Sequence, residues 1–322
     1  MKLLVTVPWN AEQLQRVSRS YPQVELCIAL TEQAVLEAIP EAEVVFGDIS
    51  RRVFSAAHRL RWIQCHGAGV NKLVAIPELV ASDVLLTNTR GAHAATIAEH
   101  FFGMIISLTH QFPKLYAAQL QRAWLHWSDW PDKVGAPPIS LQGLTLGIVG
   151  FGNIGRAIAT RAHGFEMQII AVDRFPVPLP DYLSEFWLID EFTELLKRSD
   201  VVVVTVPGTP ETYRLLSREA LSQMKPSAYL CGVSRGGIID EEALAIMLQE
   251  HRLAGAALDV TEIEPLSATS PLWTAPNLIL TPHIAGKSET STTAATTILI
   301  ENLGHYLAGR PLTNVVDKRL GF

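Results

Sequence analysis

Three glycines, Gly150, Gly152 and Gly155, constrain the fold of this chain more than any other feature of it. They stand in "VGFGNIGRAIA" (Val149–Ala159), after the apolar run Leu144–Val149 and before a segment patterned as a helix. Alone, a G-x-G-x-x-G is a common glycine-rich turn. Between a strand and a helix it has a stricter meaning. The first glycine permits the tight turn, the second lets backbone approach a bound group, and the third lets the helix pack on the strand.

The rest of the chain supplies that setting. Short β-rich runs at Leu3–Val7, Val24–Ala29, Val44–Gly47, Trp62–Cys65 and Val84–Thr87 alternate with helical patterns such as Ala11–Ser20 and Thr31–Ala38. Ile97–Gln119 reads as one long apolar helix, followed by a Trp-rich loop, "WLHWSDWPDKVGAPPIS". Alternation then restarts with six strands: Leu144–Val149, Gln168–Val172, Val201–Val206, Tyr229–Val233, Gly255–Leu258 and Leu278–Thr281. Helices fall between them, and a last one spans about Ser288–Leu307. Such alternation predicts α/β architecture with parallel sheets covered by helices on both faces.

Composition excludes several classes. A chain of 322 residues, 48% apolar, suggests roughly two domains of about 100–200 residues with ordinary cores. Net charge -6 and the lack of any Lys/Arg run give no hold on nucleic acid or an anionic membrane. Cys27, Cys65 and Cys231 form no C-x-x-C pair, which fits a reducing compartment and leaves room for one reactive thiol. No group of residues reads as a metal site. The opening "MKLLVTVPWN" holds too short an apolar run for a signal peptide, and no window reaches the roughly 18 apolar residues of a membrane helix. The expectation is a soluble, cytoplasmic protein.

A dinucleotide site also needs an acid at the end of the next strand, for the ribose hydroxyls. Asp173 closes "MQIIAVD", eighteen residues past Gly155. Its charge would repel a 2′-phosphate and so favours NAD. Arg174 follows at once and could instead grip that phosphate, leaving NADP open.

Downstream stand "SRGGIIDEEAL", "GAALDVTEIEPL" and "NLILTPHIAG", and upstream "HGAGVNKL" and "NTRGAHAATIAEH". With these motifs in this order the chain resembles the D-isomer-specific 2-hydroxyacid dehydrogenases, most densely over about Leu141–Gly286. The resemblance implies catalytic roles for Arg235, Glu264 and His283. The chemistry agrees: reducing a 2-keto acid needs a fixed cation for carboxylate and carbonyl, and an acid to protonate the oxygen. His283 is general acid in reduction and base in oxidation, Glu264 orients it and favours its protonated form, and Arg235 anchors the substrate. His66, His93, His100 and the other histidines are read as structural or surface residues.

The same resemblance implies further contacts. Backbone amides near Ala68 and Gly69 would meet the substrate carboxylate. Asn153 and Ile154 would face pyrophosphate beside Gly150, Gly152 and Gly155, Val206 and Pro207 would floor the adenine, Val233 and Asp259 would lie near the carboxamide, and Thr96 on the phosphate side. Departures from the family pattern are Asn71 where Asp is frequent, Gly232 where Asn is usual, and Gly208 where Leu is usual.

The architecture implied is two doubly wound parallel-sheet domains, a Rossmann cofactor domain (97–288) and a flavodoxin-like substrate domain (1–96 with 289–322), with an active-site cleft and hinges between them. Trp124, Trp127 and Trp130 could close over a substrate, but the resemblance implies a homodimer boundary for them. Hydroxypyruvate or glyoxylate is the favoured substrate, since few basic groups (Arg51, Arg52, Lys72, Arg90) are on hand for a phosphorylated one and the length leaves no room for an added regulatory domain. Two alternatives use the same scaffold: a dinucleotide-sensing binding protein and a dehydrogenase of another small anion such as formate.

Overall fold

The structure, a computed structural model, describes residues 1–135 and 137–322. The chain divides into two compact units, Met1–His93 with Lys287–Phe322, and Ala94–Gly286. Among the described residues no helix is long and apolar enough to cross a membrane.

In the first unit β1 (Lys2–Val5), β2 (Glu25–Ile28), β3 (Val44–Phe46), β4 (Trp62–Gln64) and β5 (Leu85–Thr87) form one parallel sheet, ordered β2-β1-β3-β4-β5. Side chains alternate across it. Leu4, Val45, Ile63 and Leu86 face one apolar cluster, and Leu3, Val5, Val44, Phe46 and Trp62 face the other. The helix Glu289–Leu307 belongs to this unit and lays Leu299 and Leu303 on the second face. Its Asn302, fully buried, donates to Gln64 Oε1 at 3.0 Å and accepts from the Thr313 N–H at 2.8 Å. A buried amide with both ends paired fixes the register of the returning chain at little desolvation cost.

In the second unit the strands are β6 (Thr145–Val149), β7 (Gln168–Asp173), β8 (Glu185–Leu188), β9 (Val201–Val204), β10 (Tyr229–Gly232), β11 (Gly255–Leu258) and β12 (Leu278–Leu280). They form a parallel sheet ordered β12-β11-β10-β9-β6-β7-β8. The chain runs from β6 outward through β7 and β8, returns to β9 and runs out the other way. The order therefore reverses between β6 and β9, and in open α/β sheets ligands bind beyond the carboxyl ends of strands at such a point. All four valines of β9 are buried, as a strand covered on both faces requires.

Three expectations need correction. The second sheet has seven strands, not six: "EFWL" at Glu185–Leu188 adds an edge strand whose residues are only partly buried. The helix expected over Ile97–Gln119 is two helices, Ala94–Thr109 and Phe112–Leu120, with Gln111 left-handed at φ 58° between them. Pro113 is the reason, because it lacks an N–H and its ring would clash with the carbonyl four residues earlier. The Trp-rich loop contains a turn at Trp127–Asp129 and a one-turn helix, Trp130–Lys133, opened by Pro131.

Candidate active site

Six neighbouring strands of the second unit deliver the candidate residues from their carboxyl ends. In sheet order these are Asp173 on β7, Gly150 after β6, Val206 after β9, Arg235 after β10, Glu264 after β11 and His283 after β12.

The glycine turn comes first. Gly150 has φ +96°, and a Cβ there would stand 2.9 Å from Val206 Cγ1 and 3.0 Å from its backbone nitrogen. A Cβ on Gly155 would stand 2.3 Å from the Gly150 carbonyl oxygen. Both positions are closed to any larger residue. At Gly152, which caps the helix Asn153–Gly164 without a side chain, a Cβ would meet nothing within 4 Å. The turn thus packs tightly against protein on one side and leaves open space before a helix N-terminus on the other, which is the shape of an anion cradle. Asp173 accepts the Phe151 N–H at 2.7 Å and so braces the turn from β7. Arg174 is exposed, with its guanidinium 5.6 Å from the Phe175 ring centre. Pro207 is exposed and Val206 partly so.

Beyond β10, Val233 and Ser234 are buried. The Ser234 hydroxyl is buried with no hydrogen-bond partner, a cost that a bound polar group would relieve. Arg235 donates to the Ser234 carbonyl at 2.6 Å. Gly236 explains why this loop lies where it does: a Cβ would stand 1.9 Å from the Thr261 carbonyl oxygen, so only glycine lets the Arg235 loop touch the loop that carries Glu264.

Glu264 joins that loop to His283. One oxygen accepts the Thr261 N–H at 3.1 Å, and the other lies 2.7 Å from His283 Nδ1. Both side chains are partly exposed, at 38% and 46%, so the pair is open to a ligand. Glu264 precedes Pro265 across a cis peptide. His283 is held at φ 54°, its N–H donating to the Asp259 carbonyl at 2.7 Å.

Asp259 organises the loop beneath. Only 2% exposed, its carboxylate accepts Thr281 Oγ1 at 2.6 Å and the Ile284 and Ala285 N–H groups at 2.9 Å each. Its side chain is therefore committed to the His283 loop. His100, on the helix Ala94–Thr109, brings Nε2 to 2.9 Å from Thr281 Oγ1 and 3.7 Å from Asp259. Because that hydroxyl proton goes to the carboxylate, His100 Nε2 is the donor to Thr281. His100 is expected as a structural or surface residue, and its bond to Thr281 makes it structural. Its place three residues after Ile97 and four before Met104, on the buried stripe of the helix, was the available signal. Thr96 lies one turn earlier on this helix.

Cys231 is no nucleophile: burial, helped by the Asp259 charge, pushes its thiol well above the ordinary value. Burial also raises the Glu241 carboxyl, against the lowering effect of the Glu262 N–H it accepts, while Glu262, Glu264 and Asp240 raise it further.

Ala68 and Gly69 lie in the first unit, past β4. The Gly67 carbonyl accepts the Thr89 N–H at 3.1 Å, and the Ala68 carbonyl accepts Asn88 Nδ2 at 2.8 Å. A trans peptide points N–H opposite to C=O. With these carbonyls bonded to Thr89 and Asn88, the Ala68 and Gly69 N–H groups point away from those two residues.

Fold and site together define a doubly wound α/β protein with a dinucleotide-type glycine turn beside an Arg, Glu and His set. Residues 102–285 match the family model described as D-isomer specific 2-hydroxyacid dehydrogenase, NAD binding domain, and the chain belongs to this family. It is similar to the D-3-phosphoglycerate dehydrogenase of Methanocaldococcus jannaschii, 32% identical over 98% of this chain and 59% of that one. The chain thus spans well under two thirds of that relative's length. It is 34% identical to the glyoxylate reductase of Thermofilum pendens over 84% of this chain and 79% of that one. Among solved structures, a D-isomer specific 2-hydroxyacid dehydrogenase from Xanthobacter autotrophicus, in complex with NADPH and MES, superposes with a TM-score of 0.85 at 28% identity, covering 100% of this chain and 99% of that one.

Proposed function

We propose that this protein is an NAD(P)-dependent oxidoreductase that reduces a small 2-keto acid, with hydroxypyruvate or glyoxylate favoured, to the D-2-hydroxy acid. The observation that carries this reading is the 2.7 Å contact between His283 Nδ1 and Glu264, on the same sheet edge as the glycine turn and Arg235. A carboxylate on Nδ1 fixes the tautomer and leaves Nε2 as the nitrogen available to substrate.

The chain's residues fit a dinucleotide: the open space before the helix Asn153–Gly164 and the orphaned Ser234 hydroxyl both ask for a polar ligand. Gly150, Gly152 and Gly155 with the Asn153 and Ile154 amides would hold its pyrophosphate, Asp173 its ribose, and Val206 and Pro207 its adenine. Val233 and Thr96 line the remainder of the proposed path, with Asp259 near it but supporting it through the His283 loop. Once bound, the dinucleotide supplies the hydride. His283 gives its proton to the keto oxygen, Glu264 steadies the imidazole, and Arg235 offers two N–H groups to the substrate carboxylate. The Ala68 and Gly69 amides, in the proposed substrate domain (1–96 with 289–322), are proposed as donors to a substrate carboxylate. Asp173 makes NAD the proposed cofactor, and exposed Arg174 keeps NADP in the comparison.

The helix Phe112–Leu120 has no buried residue and carries exposed Phe112, Tyr116 and Leu120 at four-residue spacing, with Trp124 and Trp127 exposed beyond it. An apolar face of that kind is suited to a second copy of the chain, and we assign it to a homodimer. Cytoplasmic placement fits three cysteines none of which forms a disulfide.

The test is loss of reduced-nicotinamide absorbance with hydroxypyruvate, glyoxylate, pyruvate and a phosphorylated keto acid, with NADH and NADPH in parallel. Turnover of hydroxypyruvate or glyoxylate supports the proposal. Tight cofactor binding with no turnover on any of them overturns it in favour of a dinucleotide sensor.

A further inference from the structure

We propose that Asp48, Cys65 and His66 form a binding site for one divalent cation of the zinc class, on the carboxyl edge of the first sheet. A carboxylate oxygen, the thiol sulfur and an imidazole nitrogen from these residues all lie within 4.8 Å of one another. Cys65 Sγ stands 3.3 Å from Asp48 Oδ1. With Zn–S about 2.3 Å and Zn–O about 2.1 Å, sulfur and oxygen on one tetrahedral ion are roughly 3.6 Å apart. One edge of the coordination polyhedron is therefore nearly set. His66, exposed at the rim, completes three ligands by a side-chain rotation and leaves a fourth place for water.

The location is that of a ligand site. Asp48 lies two residues past β3 and Cys65 one past β4, beside the point where strand order reverses between β1 and β3. Asp48 is held from behind, its carbonyl accepting Thr6 Oγ1 at 3.0 Å. A sulfur, a nitrogen and an oxygen ligand together suit Zn²⁺ and its analogues and not Mg²⁺ or Ca²⁺, which take oxygen.

On binding, the Cys65 S–H bond gives its proton to solvent and an S–metal bond forms. The thiol also stands 3.5 Å from the Gly69 carbonyl, so the ion withdraws that donor from the Gly67–Gly69 loop. Inhibition of turnover by the ion follows from this, and that consequence rests on the proposed role of the Ala68 and Gly69 amides. Ion binding itself does not.

The test is a titration of the full reduced chain with Co²⁺, without dinucleotide, read by sulfur-to-cobalt charge-transfer absorption. One ion per chain with that band is expected. Affinity should fall about tenfold or more in His66→Ala, the band should vanish in Cys65→Ser, and Cys27→Ser should change neither. His66 is exposed, so its variant remains informative if Cys65→Ser fails to fold. A missing band, a band that outlives both substitutions, or one lost with Cys27 overturns the site. Because the readout is binding, it stands apart from any failure of the dehydrogenase assay.

Discussion

Oε2 of Glu264 lies 2.7 Å from Nδ1 of His283, while Oε1 of the same carboxylate accepts the Thr261 N–H at 3.1 Å. One side chain thus ties the imidazole to the loop after β11. In Glu264→Gln the amide keeps the shape, removes the charge and can turn either O or NH₂ toward the ring. We expect kcat to fall roughly 10²-fold, at the low end of general acid–base effects, with KM for the keto acid little changed. Steady-state kinetics decide it, and a change confined to KM would refute the orienting role.

Gly236 should be intolerant of a single methyl. In Gly236→Ala the new Cβ would start 1.9 Å from the Thr261 carbonyl oxygen, so the loops bearing Arg235 and Glu264 must part. A shift of about 1 Å at a reacting group costs on the order of 10²-fold in rate. The expected result is that loss in kcat/KM, well beyond any loss of cofactor affinity by fluorescence titration, since the glycine turn after β6 lies two strands from β10.

Asp173 both braces the glycine turn and is the proposed ribose ligand. Asp173→Ala should weaken NADH binding about tenfold, near 1.4 kcal/mol, and improve the ratio of NADPH to NADH use as the charge opposing a 2′-phosphate disappears. Paired KM values for the two cofactors measure this.

Much of the candidate site is legible in the sequence. A strand, three spaced glycines and a terminal acid carry their own geometry, and Arg235, Glu264 and His283 fall in recognisable short motifs. What was illegible depends on contacts remote in sequence. Asp48 and Cys65 are seventeen residues apart and meet only because β3 and β4 are neighbours. Asp259 could be placed near the site by resemblance, yet its bonds to Thr281, Ile284 and Ala285 needed the turn after β12. The edge strand Glu185–Leu188 is short and opens on a charged residue, and its apolar run continues into Ile189 and the helix Phe192–Arg198 with no Gly or Pro to set it apart. Pro113 was plain in the sequence, and apolar periodicity on either side masked it.

Glu241 sets a pH dependence of stability. Its raised carboxyl holds a proton more readily in the folded chain than in the unfolded one, so folding binds protons between the ordinary and the raised value. Stability from this group therefore rises as pH falls through that window and is lost again above it. Glu241→Gln should raise the urea midpoint at neutral pH, and the gap from wild type should close as the pH is lowered into the carboxylate range. A gap independent of pH would contradict the assignment.

The most direct test of the account is turnover and cofactor affinity measured together in His283→Ala. A proton donor set by Glu264 predicts that kcat falls by roughly 10²–10⁴ while the dinucleotide binds as before. Unchanged turnover in a folded, cofactor-binding variant would contradict the central role given to His283.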